Sequence, residues 1–175
     1  MLDSKEILAV GSIAFDSIQT PKGERDKILG GSATYFGVAA SQYTKVSLIG
    51  IVGDDFLKKD WSIFEKYNIN TDSVVQSKGK TFSWGGKYNA DYSKRDTLFT
   101  ELGVFEHFKP AITTNHDNPI LYLGNIQPDL QIDVINKVTN NHLIAADSMN
   151  LWIDLFPNDV IKLVKKVDIF LLNDE

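Results

Sequence analysis

The stretch ILAVGSIAFDSIQT (residues 7–20) joins an apolar run to a glycine and then to a second extended segment, which ends at the Pro21/Gly23 turn. The run Ile7–Val10 is typical of a strand buried inside a sheet. Short apolar runs of the same kind recur along the chain, at residues 46–52, 120–123, 143–146 and 167–172. Amphipathic stretches lie between them. Strands that alternate with helices predict a mainly parallel sheet with helices on both faces.

Four of the amphipathic stretches have helical spacing. The first begins after Gly30-Gly31, with Ser32 as its predicted N-cap, and its apolar residues recur at helical intervals (Ala33, Phe36, Ala39 and Ala40). The others cover residues 56–68, near 129–139 and near 157–166. In the stretch 56–68 much of the apolar face comes from Phe56, Trp61, Phe64 and Tyr67.

The middle of the chain has a different pattern. Residues 74–104 are rich in Thr, Phe, Tyr and Trp and are broken by glycines, which predicts a small antiparallel sheet beside the main one. Strand alternation over residues 80–88 places Phe82 and Trp84 on one face, and Thr81 and Ser83 on the other. An aromatic face over a pocket could stack on a sugar ring and exclude water. Packing between the two sheets is the alternative for these rings.

Composition excludes several classes of function. The chain has 175 residues, a length that predicts one domain, and carries a net charge of −5 with no run of more than two basic residues, which argues against nucleic acid as a partner. It has no cysteine, and His107, His116 and His142 lack metal-ligand spacing, so we expect surface roles for them. Without a signal-like start or an apolar stretch of about 18 residues, the sequence predicts a soluble, cytoplasmic protein.

Two features carry candidate chemistry. Asp16 follows the first strand, where a carboxylate could accept hydrogen bonds from paired hydroxyls of a polyol; a turn or solvent role is the alternative. Gly30-Gly31 precedes a helix, and such a pair lets a ligand approach the backbone, although an ordinary turn with a cap would use the same residues. Neither a P-loop nor a dinucleotide-binding fingerprint is present in the sequence.

Two further candidates leave alternatives open. Asp147 and Asn150 follow the strand 143–146, at the end of a parallel strand where ligands bind in open α/β sheets, but they could equally cap the next segment. Arg95 could meet an anionic group on the substrate, although a surface ion pair with Asp91 or Asp96 is the favoured interpretation.

The ordered motifs resemble those of a known family. VGSIAFD (residues 10–16), GGSATYFGVAAS (30–41), VSLIGIVGDDF (46–56) and NINTD (68–72) match the N-terminal half of ribokinase-like (PfkB family) carbohydrate kinases in order and spacing. GGSATYF and DTLxTxL (96–102) are closest to a branch of sugar kinases of unassigned specificity. The resemblance implies an α/β fold, a mainly parallel sheet flanked by helices with a small antiparallel β lid, and phosphorylation of a sugar or sugar-like hydroxyl by ATP with Mg²⁺.

The resemblance also implies roles for particular residues. The lid segments match residues of about 12–20 and 80–101, Asp16 matches the position that binds substrate hydroxyls, and Gly30 and Gly31 match the glycines that line the sugar site. Asn173 matches the Asn of an N-x-x-E motif associated with phosphate and magnesium. We add candidate substrate contacts at Thr34, Phe82, Trp84 and Asn125. Pentose, hexose, inositol-like polyol and nucleoside all stay open as substrates, and a homodimer through the lid is plausible.

The sequence departs from the family pattern at a substrate-site position and lacks counterparts of the catalytic motifs. Tyr35 stands where many members have Asn, and the Glu of N-x-x-E would be residue 176. The G-A-G-D segment with the catalytic aspartate, and most of the nucleotide pocket, have no counterpart in the 175 residues. We therefore expect a truncated chain with no catalytic residue of its own, inactive alone, which leaves the apolar run 167–172 uncovered. The alternative is a non-catalytic sugar-binding or interaction module derived from a kinase.

Overall fold

The computed structural model describes residues 5–113 and 116–173. In chain order its elements are β1 (Ile7–Val10), β2 (Ala14–Thr20), β3 (Gly23–Gly30), α1 (Ser32–Ala40), β4 (Val46–Gly53), α2 (Lys58–Lys66), β5 (Asn70–Ser77), β6 (Phe82–Tyr88), β7 (Arg95–Glu101), a 3₁₀ turn at Gly103–His107, β8 (Ile120–Leu123), α3 (Pro128–Lys137), β9 (Leu143–Asp147), α4 (Asn150–Leu155), α5 (Pro157–Val164) and β10 (Ile169–Leu171).

The main sheet has six parallel strands in the order β10-β9-β8-β1-β4-β5. The strand β1 lies in the middle and pairs with β4 on one side and β8 on the other, so Ile7 stands opposite both Val46 and Ile120. One apolar cluster packs the sheet against α3 and α5, through Val134 and Leu163 among others. The other packs it against α1 and α2, with Ala33 and Phe64. The predicted parallel sheet with helices on both faces is confirmed.

The lid is a second sheet of four strands, in the order β3-β2-β6-β7. The sequence predicts an antiparallel lid from residues 12–20 and 80–101, and this differs from the structure in two ways. The pair β2–β6 is parallel, so the sheet is mixed. The strand β3 also belongs to it, paired antiparallel with β2, although its sequence GERDKILG shows no apolar pattern. Its first five residues are exposed, which explains why periodicity does not reveal it.

The strand β5 belongs to the main sheet and not to the lid. The sequence pattern predicts that the antiparallel region begins at residue 74, and this is wrong for residues 74–77 because β5 pairs parallel with β4. As the edge strand of the sheet it is half exposed, with Val75 on the surface and Ser73 buried. An edge strand needs only one apolar face, so its sequence resembles that of a lid strand.

The helix α1 begins differently from the prediction. Gly31 occupies the N-cap position and makes no side-chain cap, so the predicted Ser32 cap is wrong. The hydroxyl of Ser32 instead accepts a hydrogen bond from the backbone N–H of Ser12 (3.1 Å), and the Ser12 hydroxyl accepts one from the Ser32 N–H (3.0 Å). This reciprocal pair, the Ser12–Ser32 clasp, ties the chain entering the lid to the chain leaving it.

A second clasp holds the other passage into the lid. The Asp55 carboxylate accepts hydrogen bonds from the backbone N–H (2.8 Å) and the hydroxyl (2.7 Å) of Thr81, whose oxygen accepts from the Gly53 N–H (2.9 Å). Burial opposes ionisation of Asp55, but the Thr81 bonds and the nearby Lys27 and Lys80 outweigh it and lower its pKa. The Asp55–Thr81 clasp therefore fixes β6 to the end of β4.

The strand β10 forms the other edge of the main sheet and is little covered. Ile169 is 44% exposed and Leu171 is 52% exposed, as the sequence analysis expects for the run 167–172. None of the helices in residues 5–113 and 116–173 combines the length and apolar character needed to cross a membrane.

His116 is not a surface residue, contrary to the sequence-based expectation. Its side chain is 5% exposed, and Nδ1 lies 3.1 Å from Oε2 of Glu6. Burial alone would raise the pKa of Glu6, but hydrogen bonds from Ser47 and His116 and the charges nearby lower it. The Glu6–His116 pair anchors the segment before β8 at the amino ends of β1 and β8, which is the opposite end of the sheet from the carboxyl ends of the strands.

Candidate functional site

Asp16 lies on β2 with its carboxylate against the Gly30 backbone. It stands opposite Ile28 on β3 and Trp84 on β6. A Cβ atom at position 30 would lie 2.1 Å from Asp16 Oδ2, so the absence of a side chain there makes room for the carboxylate. Burial raises the pKa of Asp16, and the positive charge of Arg95 partly offsets this. A half-buried carboxylate with free acceptor capacity is suited to hydrogen bonds from hydroxyl groups.

Gly31 is required by its backbone conformation. Its φ of 95° and ψ of 152° lie in a region that is essentially confined to glycine. A Cβ there would also lie 2.3 Å from the Ser12 carbonyl oxygen and 3.0 Å from the Ala14 nitrogen. The Gly30-Gly31 pair is therefore shaped by two protein neighbours, the Asp16 carboxylate and the Ser12 backbone. It lets β3 turn into α1 directly beside Asp16.

The two lid aromatics have different surroundings. Phe82 stacks on Phe105 with ring centroids 5.5 Å apart, and Phe105 stacks in turn on Phe108, so Phe82 packs towards the core. The ring of Trp84 instead lies 5.1 Å from the Arg95 guanidinium. The position of Trp84 opposite Asp16 makes Trp84 the aromatic residue that borders the candidate site.

A cleft of about 410 Å³ lies where the lid faces the carboxyl ends of β8, β9 and β10. Arg95 reaches it from β7, and the strand ends contribute the other lining residues, Asn125, Asp147, Ser148, Met149, Leu171, Leu172 and Asn173. The chain leaves β1 towards β4 and β5 on one side, and later builds β8, β9 and β10 on the other. Open α/β sheets bind ligands outside the carboxyl ends of the strands, and this cleft lies at those ends, on the β8 side of the point where the strand order reverses.

Asn125 is held firmly at the end of β8. Its Oδ1 accepts a hydrogen bond from Trp152 Nε1 (2.8 Å), and its Nδ2 donates to the Met149 sulfur (3.0 Å). Trp152 belongs to α4, an element that the sequence analysis does not predict. A ligand hydroxyl could still donate to the second lone pair of Asn125 Oδ1. Asn173 lines the same cleft and is exposed.

Asp147, at the end of β9, is the most perturbed carboxyl group. Its Oδ2 accepts a hydrogen bond from the Tyr122 hydroxyl (2.8 Å), and the Tyr122 ring stacks on Phe36 with centroids 3.5 Å apart. Burial raises the pKa of Asp147 to about 6, although the Tyr122 hydrogen bond opposes the shift. Burial and the Asp147 charge also raise the pKa of Tyr122, which keeps its proton available for donation.

The raised pKa of Asp147 predicts a stabilising substitution. The folded chain binds the proton of the Asp147 carboxyl group more tightly than the unfolded chain does. Protonation of Asp147 therefore contributes to the free energy of unfolding in full below its ordinary pKa of 3.8, and this contribution is lost as pH rises through about 6. Asp147→Asn removes the charge and should raise the free energy of unfolding at pH 7 by about 2 kcal/mol. Urea unfolding at pH 4 and pH 7 measures this. Equal gains at both pH values would contradict the assigned cause.

Arg95 differs from its favoured interpretation. In the described parts of the chain no carboxylate oxygen lies within 4.0 Å of its guanidinium nitrogens, and Asp91 bonds to Ser93 instead. The predicted surface ion pair with Asp91 or Asp96 is therefore wrong, and Arg95 lies between Trp84 and the cleft. The capping alternative for Asp147 also fails, because Met149 is the N-cap of α4 and no side chain caps that helix.

Thr34 lies elsewhere. It is 4% exposed, and it lines a groove of about 470 Å³ between α1 and α2 together with Leu29 and Ile63. A third cleft, also of about 470 Å³, lies between the hairpin tips of the lid and includes Thr20 and Tyr88. The cleft below Arg95 contains Asn125 and Asn173, which line neither of these two, and Arg95 connects it to Trp84 and Asp16 on the lid. We therefore place the candidate site at this smaller, more polar cleft together with the lid residues beside Arg95.

Sequence reasoning missed three side chains of this site. Tyr122 and Trp152 act by orienting Asp147 and Asn125, and each pair is separated by more than 20 positions in the chain. Only the position of Tyr122 in a strand directly before Asn125 could have suggested it. Trp152 lies in a short helix without a recognisable pattern. Ser148, whose buried hydroxyl finds no partner among the described residues, follows Asp147 directly.

Several solved structures are similar to this chain. The nucleoside kinase of Methanocaldococcus jannaschii, an archaeal member of the ribokinase family, superposes with a TM-score of 0.76 at 16% identity, over 98% of this chain and 61% of that one. Ribokinase from Cryptococcus neoformans var. grubii serotype A, in complex with ADP, superposes with a TM-score of 0.78 at 17% identity, over 98% of this chain and 57% of the ribokinase chain. The Burkholderia thailandensis nucleoside kinase in complex with inosine superposes with a TM-score of 0.80 at 14% identity, over 96% of this chain and 60% of the kinase chain.

These similarities establish the fold. The chain has the ribokinase-like α/β fold that the sequence motifs predict, and it spans about 60% of the length of the structures it matches. No protein-family model and no curated protein matches the chain. The predicted resemblance to the N-terminal portion of a ribokinase-like kinase is confirmed at the level of fold.

Proposed function

We propose that this chain is the acceptor-binding part of a kinase that transfers a phosphoryl group from ATP to a hydroxyl of a sugar or nucleoside. The observation that carries the proposal is Asp16, a half-buried carboxylate on the lid that lies against Gly30 and is attracted by the charge of Arg95, which lies beside Trp84. The fold supports the reaction class, since the similar structures are sugar and nucleoside kinases.

The residues of the chain would bind and orient the acceptor. The Asp16 carboxylate accepts hydrogen bonds from two neighbouring hydroxyls, which fixes the orientation of the sugar ring. Trp84 covers one side of the ring, and the lid strands reduce access of water when they close. Asn125, held by Trp152 and Met149, supplies a positioned acceptor on the opposite wall. Positioning of this kind is a large part of the rate enhancement in phosphoryl transfer.

The described residues provide no complete site for the ATP and Mg²⁺ that the proposed reaction uses. Within residues 5–113 and 116–173, no group of three or more His, Asp or Glu side chains converges in a way that could hold a metal ion. Asn173 is the one residue for which the sequence motif implies a phosphate or magnesium role. We therefore derive no step through ATP or Mg²⁺ and assign no catalytic residue in this chain. The proposal includes the expectation that the chain is inactive alone, in a cytoplasmic setting.

A homodimer through the lid belongs to the same proposal. The edge strand β7 is exposed along its whole length, and Leu98 and Phe99 are 48% and 37% exposed. An uncovered edge strand with apolar side chains is suited to pairing with a second sheet.

The test is binding of acceptors to the purified 175-residue chain. We expect at least one compound among D-ribose, D-fructose, myo-inositol and inosine to bind, as measured by isothermal titration calorimetry, and to raise the melting temperature. We expect no ATP consumption that depends on that compound. If none of the four binds, the proposed acceptor site is wrong. If the chain consumes ATP in response to one of them, the expectation that it is inactive alone is wrong.

A further inference from the structure

Asp147 has an oxygen that the fold leaves without a partner. Its Oδ2 accepts the Tyr122 hydroxyl, whereas its Oδ1 is buried and makes no hydrogen bond with any described residue. The neighbouring Ser148 hydroxyl is in the same condition. Buried polar atoms without partners are rare in native proteins and costly to the fold. Such an atom at the wall of a cleft indicates a group that is completed by a ligand.

The ordinary structural roles for this carboxyl group do not apply. It does not cap α4, because Met149 is the N-cap residue and no side chain bonds to the first turn of that helix. It makes no ion pair in the described parts of the chain. The backbone carbonyl of Asp147 is already satisfied by Gln131 Nε2 (3.0 Å), so the strand end is held without the side chain. Its packing against Tyr122 fixes the direction of the free oxygen.

Among the residues that the structure describes, few charged and titratable groups surround the cleft. Tyr122 faces Asp147 from β8 and Arg95 faces the cleft from β7, while the wall after β10 is formed by the uncharged Leu171, Leu172 and Asn173. Arg95 also attracts Asp16, on the lid side. Arg95 is therefore the link between the two carboxyl groups, because its charge acts on Asp16 of the lid and its side chain lines the same cleft as Asp147 of the main sheet.

We propose that Asp147 is a second acceptor-binding residue, whose free oxygen accepts a hydrogen bond from a hydroxyl of the compound held by Asp16, and that the site therefore selects an uncharged polyol. This inference rests on the proposed function and names its substrate class. When both carboxyl groups are ionised, two negative charges against one positive charge repel an acceptor that carries a phosphate or carboxylate. An uncharged polyhydroxy compound can donate hydroxyls to both walls without that repulsion.

The pH dependence follows from the ionisation of Asp147. A carboxylate accepts a stronger hydrogen bond than a carboxylic acid, so affinity should rise several-fold between pH 5.5 and pH 7.5, as Asp147 loses its proton near pH 6. Burial also raises the pKa of Asp16, so ionisation of Asp16 adds a separate part to the pH dependence of the affinity. The part of the dependence near pH 6 belongs to Asp147 and should disappear in Asp147→Asn.

The experiment compares four proteins by calorimetry, with whichever of D-ribose, D-fructose, myo-inositol or inosine binds the unaltered chain. At pH 7.5 we expect Asp147→Asn to bind about tenfold more weakly, and Tyr122→Phe to bind a few-fold more weakly because the carboxyl group loses its orientation. The control Asp133→Asn removes an exposed carboxylate on α3 that pairs with Lys137 and should bind normally. Asp147→Asn should melt no lower than the unaltered chain, so unfolding cannot explain its loss of affinity.

The charge selectivity is measured with the monophosphate of the same compound and, as a steric control, the O-methyl ether of the same hydroxyl. We expect the monophosphate to bind at least tenfold more weakly than the ether. Equal binding of Asp147→Asn and the unaltered chain, or tighter binding of the monophosphate, would overturn this inference while leaving the proposed function intact. If the unaltered chain binds none of the neutral compounds, both are overturned, because Asp147 then has no acceptor to contact.

Discussion

Gly31→Ala should lower the free energy of unfolding by about 4 kcal/mol, the largest loss we expect from a single methyl group in this chain. Two effects add. The backbone of Gly31, with φ of 95°, is strained for any residue with a side chain, and the new Cβ would lie 2.3 Å from the Ser12 carbonyl oxygen. Both neighbours are backbone, so the contact cannot be relieved by a side-chain rotation. Urea unfolding measures the loss.

Gly23→Ala is the matched control. Gly23 also has a positive φ, of 139°, but a Cβ there would meet nothing within 4 Å. Gly23→Ala should lower the free energy of unfolding by about 1 kcal/mol, from backbone strain alone. The difference between the two variants isolates the close approach of Gly31 to Ser12. Equal losses would mean that this approach does not matter to stability.

Asp16→Asn should weaken binding of the acceptor about 100-fold, the largest functional effect we expect. The substitution keeps the shape of the side chain but replaces a carboxylate that accepts two hydroxyl hydrogen bonds with a neutral amide, one end of which can only donate. Hydrogen bonds to charged groups are the stronger ones, so losing the charge weakens both bonds together. Calorimetry with the neutral polyol that binds the unaltered chain gives the dissociation constants.

Stability separates this effect from misfolding. Because burial raises the pKa of Asp16, its ionised form is unfavourable in the fold, and Asp16→Asn should not lower the melting temperature. Asp96→Asn is the control, since Asp96 is an exposed carboxylate in β7 of the same sheet. An Asp96→Asn protein that loses as much affinity would show that the charge of the lid as a whole, and not the position of Asp16, attracts the acceptor.

The sequence predicts the main sheet well and the lid poorly, for a physical reason. The strands β1 and β8 are buried on both faces, so they consist of continuous apolar runs, and their predicted bounds are confirmed to the residue. The strand β3 is exposed over most of its length, and β5 is half exposed at a sheet edge. Exposure leaves β3 without a periodic apolar signal, and β5 has only two apolar residues, the adjacent Val74 and Val75, so tertiary pairing decides where these strands lie.

Some residues of the candidate site could be predicted from the sequence and others could not. Asp16 and Gly30 could be identified because their motifs are local, and the structure shows the carboxylate lying against that glycine. The pairs Trp84 with Arg95, Tyr122 with Asp147, and Trp152 with Asn125 depend on how distant segments are brought together. No spacing rule could have predicted them. The position of Thr34, in a groove between two helices, follows from the rotation of α1 about its axis, which the sequence does not determine.

The two clasps of the lid have a consequence for engineering. Three of the four passages between the main sheet and the lid are held by the two clasps, Ser12 with Ser32 and Asp55 with Thr81 and Gly53. The fourth, after β7, is held beside the second clasp, where the Val104 N–H donates to the Lys80 carbonyl oxygen (2.8 Å). The lid is therefore a cassette with two short, defined seams. A chimera that keeps these residues and exchanges the strands between them would carry the lid of a related protein on an unchanged main sheet, so that the proposed acceptor-binding surface could be exchanged separately from the rest of the fold.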